Sequence, residues 1–533
     1  MPSRLRSFTF LRCSLLLATL TLFGVPLGAL ARQDATPASA PAGGTLTAAF
    51  DVGPGGCVEC FNPLQATAGF TWLEKYYSKL IQYDIDFTQL QGDLAETWEA
   101  SADGTEYTLH LREGVTWHDG ETFTSADVKF SIDLVKNPDS ASYLGAKFTA
   151  VSAVATPDDL TVVITLSEPN AAFPDSLTFL AMLPEHALAS IPAAELASSD
   201  WWSTSPIGTG PFMWSQNAPG EFVELVAFDD YWRGRPQLDR LINRYYPEAG
   251  SAVIALRSGD IDFTFLAPDE ARALGGEAEF QILQGPSQVT NYLTFNHTDP
   301  RFEDIRVRQA FMYAIDRQLI IDELYQGAAT LSPCIYQNPD YQPADANAYA
   351  YDPEMARSLL AEAGWTGESI EVITYYSDQL STDVLVTIQQ LLADVGIEIT
   401  IRAMDGPTYT EITADPTQWT LSFAGLLNGP DPDAASIYFT STSLPPTGGN
   451  RAYVNIPEID PLFPQGRAEV DLTARATIYQ QICGIMNEEL PFAWMWVADR
   501  FGGVSLSVNN FAWTPAPAGG RYYDAVETWT VSE

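Results

Sequence analysis

Residues 370–401, IEVITYYSDQLSTDVLVTIQQLLADVGIEITI, carry the clearest structural signal in the chain. The pattern predicts a strand over 370–375, a helix over 384–395 with apolar residues at helical spacing, a stop at Gly396, and a strand over 397–401. A strand–helix–strand unit favours parallel strands joined by a right-handed crossover. Because parallel sheets bind ligands beyond the C-terminal ends of their strands, this segment predicts an α/β lobe with a cleft at its edge.

Composition sets the limits around this segment. The 533 residues are 46% hydrophobic and 12% aromatic, which supports large cores and excludes a mainly disordered chain. Lys and Arg number 27 and Asp and Glu 68, so the formal net charge is −41. Such an acidic surface repels phosphate backbones, and no nucleic-acid partner is expected. The length predicts about three or four domains, or fewer large lobes.

The N-terminus has the pattern of an export signal over residues 1–31. Arginines precede an apolar stretch that ends in the small-residue sequence Ala29-Leu30-Ala31. A membrane anchor is the alternative, although the run is short for a bilayer span. Residues 32–42 are rich in Pro, Ala and Ser and predict a disordered linker. The export signal predicts an extracytoplasmic mature protein, in the periplasm or at the outer face of the cytoplasmic membrane. No later stretch is long and apolar enough to predict a membrane span.

Four cysteines follow the export signal, and an even number in an exported protein suggests disulfides. Cys57 and Cys60 have the spacing of a local disulfide, with a redox motif or half of a metal site as alternatives. Cys334 and Cys483 would then pair with each other across a long loop. The connectivity stays open at this stage.

Catalytic signatures are missing from the sequence. It has no Gly-x-Ser-x-Gly elbow, no His-Glu-x-x-His motif and no phosphate loop, and only four histidines. We therefore predict no catalytic residues, no metal and no cofactor. A secreted hydrolase acting on glycans through two carboxylates remains an alternative, although no particular pair of acids stands out.

Three local patterns predict single elements. Apolar residues near helical spacing predict a helix over 70–81. Thr124 and Asp127 have the spacing of a capping box and predict a helix start. Asp304 is placed to cap a helix with an apolar face at every third or fourth residue.

Several segments, taken in order, resemble the extracytoplasmic solute-binding proteins of ABC importers, in the oligopeptide/dipeptide/nickel-binding group (solute-binding family 5). They cover nearly the whole chain after the export signal, and each is weak alone. The matching segments are DLAETW (93–98), YTLHLREGVTWHDG (107–120), FTSADVKFS (123–131), GTGPF (208–212), YWRGRP (231–236), LRSGDID (256–262), DIRVRQA (304–310), AIDR (314–317), YDP (351–353) and DPD (431–433).

The resemblance implies a two-lobed periplasmic-binding-protein-like fold of type II, with an extra subdomain in lobe one. Lobe one would span 43–288, with the subdomain at about 84–205, and would be completed by 500–533. Lobe two would span 289–499. The chain would cross between lobes near 289–292 and 494–500, and closure at this hinge would enclose a solute.

The resemblance also implies which residues line the cleft. These are Thr67 and Phe70 before the early helix, Tyr143 in the subdomain, Asn291 and Tyr292 at the first crossing, and Leu427, Asn428 and Asp431 before and in the DPD turn. Trp494 and Trp496 flank the second crossing, and we expect only one of them to face the cleft.

One departure from the family pattern concerns the ligand. Peptide binders of this group carry an acid before the DPD turn that pairs with the peptide's ammonium, whereas this chain has Leu427-Asn428-Gly429-Pro430 there. Asp431 could replace that acid only if the backbone shifts. The implied partners are a small solute, either peptide or oligosaccharide, and the permease subunits of an ABC importer. A monomer is expected, and a scaffold or sensory protein on the same fold is a further alternative.

Overall fold

The 370–401 segment folds as strand, helix and parallel strand in the computed structural model, which describes residues 43–50, 61–65, 75–427, 429–446, 448–514 and 523–532. The strands Ile370–Thr374 and Ile399–Ala403 pair in parallel on either side of the helix Gln379–Ala393. The helix begins five residues earlier than predicted, because the Asp378 side chain accepts a hydrogen bond from the backbone N–H of Ser381 at 2.9 Å and so caps it.

The strands of the described residues are numbered in chain order. They are β1 Thr45–Ala49, β2 Ile81–Tyr83, β3 Leu90–Gly92, β4 Ala95–Ala100, β5 Glu106–Leu111, β6 Val151–Asp158, β7 Thr161–Leu166, β8 Phe212–Ala218, β9 Phe222–Ala227, β10 Arg240–Arg244, β11 Phe263–Leu266, β12 Phe280–Phe295, β13 Ala329–Leu331, β14 Ile370–Thr374, β15 Ile399–Ala403, β16 Leu421–Leu427, β17 Phe492–Ser505, β18 Val508–Asn509, β19 Ala512–Trp513, β20 Tyr523–Asp524 and β21 Thr530–Val531.

The α-helices of the described residues are numbered in the same way. They are α1 Ser125–Lys136, α2 Phe173–Leu177, α3 Glu185–Leu188, α4 Ala193–Leu196, α5 Trp201–Thr204, α6 Ala249–Ser258, α7 Pro268–Leu274, α8 Ile305–Ala314, α9 Arg317–Glu323, α10 Pro353–Ala363, α11 Gln379–Ala393, α12 Gly406–Thr413, α13 Ser436–Phe439, α14 Leu462–Ala468 and α15 Leu472–Glu489. None of them is long and apolar enough to cross a bilayer.

One large mixed sheet runs through the molecule, in the order β15-β14-β16-β12-β17-β11-β1-β10-β9-β8, with β13 paired to β17. Two main hydrophobic cores pack against it. The first draws its buried residues from Leu46 to Phe263 and again from Val504 to Trp529, and the second from Tyr292 to Trp496. The chain therefore passes from one core to the other twice, along β12 and along β17.

The two crossing strands are the longest in the described structure. β12 has 16 residues and β17 has 14, and they pair antiparallel with each other. Their register shifts between Pro286 and Thr290, so the pairing is irregular between the two cores. A shift in register leaves backbone groups less constrained there than in the continuous ladder on either side.

A second sheet, ordered β4-β5-β7-β6, stands apart from the large one. It lies within the predicted subdomain range, and α1 packs against it through Val128 and Ile132. The predicted capping box starts α1: the Thr124 hydroxyl accepts from the Ala126 N–H at 3.3 Å, and the Asp127 carboxylate accepts from the Thr124 N–H at 2.9 Å. Asp304 caps α8 by accepting from the Arg306 N–H at 3.0 Å, as predicted.

The predicted helix over 70–81 is wrong for its described part. Residues 75–80 form no helix, and Ile81 begins strand β2. The backbone carbonyl of Tyr76 accepts a hydrogen bond from the N–H of Gly210, and that of Leu80 from Ala95. Tyr76, Leu80 and Ile81 are completely buried. A segment that is covered on all sides has apolar residues on every face, so the spacing of its apolar residues does not indicate its secondary structure.

The GTGPF segment packs tightly against this buried stretch. A Cβ on Gly210 would lie 2.7 Å from the Tyr76 Cα, so only glycine allows the backbones to approach. His118 fixes the same turn, because its Nδ1 accepts from the Gly208 N–H at 3.1 Å and its Nε2 lies 3.0 Å from the Gly210 carbonyl oxygen. These bonds require a neutral ring with the proton on Nε2, and burial lowers the His118 pKa from 6.5 to about 4.

The predicted pair Cys334–Cys483 forms a disulfide with its Cα atoms 5.6 Å apart. It joins the segment after β13 to helix α15 within the second core. Cys57 and Cys60 lie outside the described residues.

Candidate functional site

A cavity of about 520 Å³ lies where the crossing strands pass between the two cores. Its lining comes from four separate stretches of chain, within residues 86–88, 286–288, 330–342 and 429–432, together with Val497. Ligand sites in proteins have volumes of this order and combine aromatic faces with a few polar groups. We take this cavity as the candidate site.

The wall from the first core is the tight turn between β2 and β3. Phe87 has a φ of +56°, an unusual left-handed conformation for an aromatic residue. Asp84 holds the turn, because its carboxylate accepts from the Thr88 backbone N–H at 2.7 Å. The Phe87 ring packs with Tyr83 and with Leu427 at the end of β16, so this turn touches the second core's part of the chain.

The opposite wall is the segment 330–342, which runs from β13 to a short 3₁₀ turn. The disulfide at Cys334 fastens it to α15, and the Gln342 amide donates to the Tyr336 carbonyl oxygen at 2.7 Å. The Tyr336 side chain is only 1% exposed, and its hydroxyl has no hydrogen-bond partner within the described residues. A buried hydroxyl without a hydrogen-bond partner costs free energy, and a hydrogen bond from a bound solute would remove that cost.

The crossing strands supply the remaining surface. Gln288 has a φ of +56° and lies within the register shift of β12. The Gln337 amide from the opposite wall donates to the Thr290 hydroxyl at 3.3 Å. A non-glycine residue in the left-handed region costs free energy and is often found at functional sites and hinges.

A network of buried charges lies beside the cavity. Asp431 accepts from Arg475 at 2.8 Å, and Asp433 accepts from Arg467 at 2.8 Å. The Tyr479 hydroxyl donates to Asp433 at 3.2 Å. Desolvation raises the pKa of Asp433, although the arginines oppose this shift.

The first core adds a third carboxylate to this network. Asp175 accepts from the Tyr83 hydroxyl at 3.0 Å, and its other oxygen lies 3.4 Å from the Lys147 ammonium. Desolvation raises the pKa of Asp175, Lys147 opposes this, and the negative charge of Asp431 raises it further. The carboxylates of Asp175, beside the first core, and Asp431, beside the second, are therefore close enough to interact electrostatically.

Direct contacts also join the two parts of the chain beside the second sheet. The Ala171 N–H donates to the Arg467 carbonyl oxygen at 2.7 Å. A Cβ built on Gly104 would lie 3.3 Å from a Val470 methyl group. The chain before the first crossing and the chain between the two crossings are therefore in direct contact at this place as well.

None of the described residues predicted for the site lines the cavity itself. Asn291 is buried on β12 and donates to the Tyr376 hydroxyl at 3.3 Å, and Tyr292 stacks on Phe492 with ring centroids 4.5 Å apart. Tyr143 packs against the first core, and its buried hydroxyl has no hydrogen-bond partner among the residues that the structure describes. Thr67, Phe70 and Asn428 lie outside the described residues.

Leu427 and Asp431 flank the cavity, since Gly429, Pro430 and Pro432 line it. The Asp431 carboxylate caps the 3₁₀ turn that follows it, by accepting from the Asp433 N–H at 2.8 Å, and its ion pair with Arg475 is largely buried. Its charge is therefore already matched by a cation.

Trp494 and Trp496 do not reach the cavity, because both side chains are 0% exposed. The register shift between Thr290 and Tyr292 places an extra residue of β17 between the two tryptophans, so simple alternation along the strand does not decide which side each one faces. Both are packed: Trp494 donates to the Met486 carbonyl oxygen at 3.2 Å, and Trp496 lies against Tyr325. The expectation that one of them faces the cleft stays a prediction.

The segments that sequence reasoning missed are the 86–88 turn and the 330–342 wall. The run Tyr336-Gln337-Asn338-Pro339-Asp340-Tyr341-Gln342 combines aromatic rings with amides and turn residues, a composition suited to a binding loop. Within the described part of the chain, no group of three or more His, Cys, Asp and Glu side chains is arranged to hold a metal ion.

This chain is similar in sequence to a known family and to several named proteins. The family described as bacterial extracellular solute-binding proteins, family 5 Middle, matches residues 89–445. A Brucella melitensis protein, provisionally named ABC transporter peptide-binding protein, is 44% identical over 540 residues, covering 99% of this chain and 100% of its own. The dipeptide-binding protein of Escherichia coli is 29% identical, covering 82% of this chain and 86% of its own.

Among solved structures, the ABC transporter substrate-binding protein CtaP of Listeria monocytogenes superposes with a TM-score of 0.83. It is 24% identical and covers 92% of this chain and 100% of its own, so the likeness concerns the fold. The predicted two-lobed fold is confirmed.

Proposed function

The chain belongs to the family 5 bacterial extracellular solute-binding proteins, and from this premise we propose that it binds a peptide-like solute in the 520 Å³ cavity between its two cores. It is a solute receptor of an ABC importer and not an enzyme. The glycan hydrolase alternative is not favoured, because the relatives are named as binding proteins of ABC transporters.

The observation that carries the proposal is the place of the cavity. It lies at the only two crossings between the cores in the described chain, where closure of two lobes would enclose a solute. The cavity offers both apolar faces and hydrogen bonds to a peptide. The apolar faces are the aromatic rings of Phe87 and Tyr341, and the hydrogen-bonding groups are the side-chain amides of Gln288, Gln337 and Asn338. The name of the 44% identical relative supports a peptide.

The lobes of this proposal are those predicted from the sequence: 43–288 with 500–533, including a subdomain at about 84–205, and 289–499. The hinge would use the irregular pairing of β12 between Pro286 and Thr290, opposite β17. The 86–88 turn, the 330–342 wall and the 429–432 turn already line one cavity, so opening at this hinge would separate them and admit a solute.

The predicted contact residues that are not buried in a core remain part of the proposal. Leu427 and Asn428 adjoin the cavity in sequence, and Thr67 and Phe70 precede the buried stretch at Tyr76. Asp431 is paired with Arg475, so we do not assign it the role of the missing acidic anchor.

We also propose that residues 1–31 direct export and that 32–42 form a linker. The receptor would then act outside the cytoplasm and deliver its solute, as a monomer, to permease subunits. An oligosaccharide as solute is an outcome that the experiment below distinguishes.

The test is a screen of di- to pentapeptides and oligosaccharides by thermal shift, followed by calorimetry of each hit. A solute present at about 100 times its Kd is expected to stabilise the fold by about 2.7 kcal/mol. Thr330→Trp, which fills the cavity from its exposed edge strand, should weaken binding at least about tenfold.

Thr400→Trp, on the exposed face of β15 and outside the cavity lining, is the matched control and should bind normally. Equal binding by both variants would contradict the assignment of the cavity. Hydrolysis of a screened solute would contradict the receptor function.

A further inference from the structure

The cavity lining is charged with one sign only. Its described lining residues include two carboxylates, Asp86 and Asp340, and no Lys, Arg or His. The undescribed positions after residue 42 contain a single Lys or Arg, Arg521. The site therefore offers carboxylates to a solute and, from its described lining, no cation.

The two carboxylates come from opposite walls. Asp86 lies in the turn between β2 and β3, and Asp340 lies in the 3₁₀ turn of the 330–342 wall. Both residues are exposed, and neither carboxylate has a hydrogen-bond or ion-pair partner among the described residues. The cavity therefore has a carboxylate on each of two walls, and a positive group of a solute between them would be attracted to both.

The cations beside the cavity are already engaged. Arg475 is paired with Asp431 and Arg467 with Asp433, each at 2.8 Å. A carboxylate on the solute could recruit either arginine only by separating it from its partner. Breaking such a buried pair leaves an uncompensated charge, which is strongly unfavourable.

The Tyr336 hydroxyl points independently to a ligand. It belongs to a cavity-lining residue that is 1% exposed, and it has no hydrogen-bond partner in the part of the chain that the structure describes. Tyr336 packs against Tyr479 with ring centroids 5.8 Å apart, which holds the ring in place. A fixed, unsatisfied hydroxyl is completed when a solute supplies a donor or an acceptor.

We propose that the solute is cationic, with an ammonium or guanidinium group held between Asp86 and Asp340 and a hydrogen-bonding group that meets the Tyr336 hydroxyl. This inference rests on the proposed function and deepens it by naming the charge of the solute. The net charge of −41 adds to the effect, since it attracts cations to the cleft and repels anions.

Three tetra-alanine probes of one length test this inference: the amide with a free amino terminus (+1), the acetylated amide (0) and the acetylated peptide with a free carboxylate (−1). Calorimetry in 50 mM NaCl should rank them in that order, with about tenfold weaker binding at each step. Raising NaCl to 0.5 M should reduce the preference, because exposed charges are screened.

The double variant Asp86→Asn/Asp340→Asn should bring the +1 and 0 probes to within about twofold of each other. The control Glu195→Gln/Glu411→Gln removes two exposed carboxylates outside the cavity lining and makes the same change in net charge. It should keep the ranking. Tyr336→Phe should weaken all three probes by about three- to tenfold and leave their order unchanged.

The inference is overturned if the −1 probe binds as tightly as the +1 probe, if the double asparagine variant keeps the ranking, or if none of the probes binds. Unchanged affinity in Tyr336→Phe overturns the role of the hydroxyl. The receptor function survives each of these results as long as another solute of the screen binds, so the two failures are distinguishable.

Discussion

Replacing Cys334 and Cys483 together by alanine is expected to destabilise the part of the chain that carries one cavity wall. The disulfide closes a loop with a sequence separation of 149 residues inside the second core. Both residues are 0% exposed, so alanine removes the covalent link and leaves only small gaps. The main effect should come from the greater freedom of the unfolded chain.

The magnitude follows from the length of the loop. The chain-entropy relation gives about 5 kcal/mol for a loop of this separation, and measured disulfides contribute about 2–4 kcal/mol. For a lobe of the proposed size, each kcal/mol corresponds to about 2–4 °C. We therefore expect the melting temperature of the double variant to fall by about 4–16 °C.

Calorimetric melting without reductant measures this difference. Cys57→Ala/Cys60→Ala is the matched control, since a bridge between residues three apart would close only a very short loop and contribute much less. The double variant at 334 and 483 should also bind solute more weakly, because Cys334 anchors the 330–342 wall. A melting temperature within about 1 °C of the parent protein would refute this reasoning.

The remaining predictions concern one histidine, one ion pair and one glycine. The pKa of His118 is about 4 in the folded protein and 6.5 in the unfolded one. The contribution of this neutral ring to the free energy of unfolding is therefore complete above pH 6.5 and is lost as the pH falls towards 4, by at most about 1.4 kcal/mol per pH unit. Urea unfolding of His118→Asn should show a stability that depends less on acid pH than that of the parent protein. Arg475→Leu leaves Asp431 buried without its cation and should lower the free energy of unfolding in urea by about 3 kcal/mol. The double variant Arg475→Leu/Asp431→Asn should recover part of that loss. Equal losses of stability in the two variants would contradict the pairing. Gly210→Ala places a Cβ 2.7 Å from backbone atoms of Tyr76 and should lower the melting temperature by several degrees or prevent folding. The control Gly220→Ala has open space around its Cβ and should cost only about 1 kcal/mol for its positive φ. Similar melting temperatures of the two variants would contradict the close approach at Gly210.

Local patterns were sufficient for much of the fold. The 370–401 unit, the capping box at Thr124 and the cap at Asp304 depend on residues a few positions apart, so their geometry can be predicted from neighbours in the chain. The ordered family segments indicated the two-lobed architecture through a resemblance, and the even number of cysteines suggested the pair Cys334–Cys483 without fixing the connectivity.

The stretch over 70–81 shows where this reasoning stops. Its spacing suits a helix, yet the backbone carbonyl of Tyr76 accepts from the turn at Gly210, and that of Leu80 accepts from Ala95 at the start of β4. Burial on all sides removes the link between apolar spacing and secondary structure. The two tryptophans of β17 are hidden for the same reason, because both side chains are buried within the second core.

The sequence by itself determined the strongly acidic charge and the local elements, because these depend on composition and on neighbouring residues, and its resemblance to a known family indicated the two-lobed architecture and the class of receptor. Only the tertiary structure decided which side chains surround the solute cavity. Residues 86–88, 286–288, 330–342 and 429–432 meet there through the packing of two cores across two strands, and no spacing along the chain encodes that meeting. The pairing of Asp431 with Arg475 and the unpartnered hydroxyl of Tyr336 likewise depend on contacts between residues far apart in sequence.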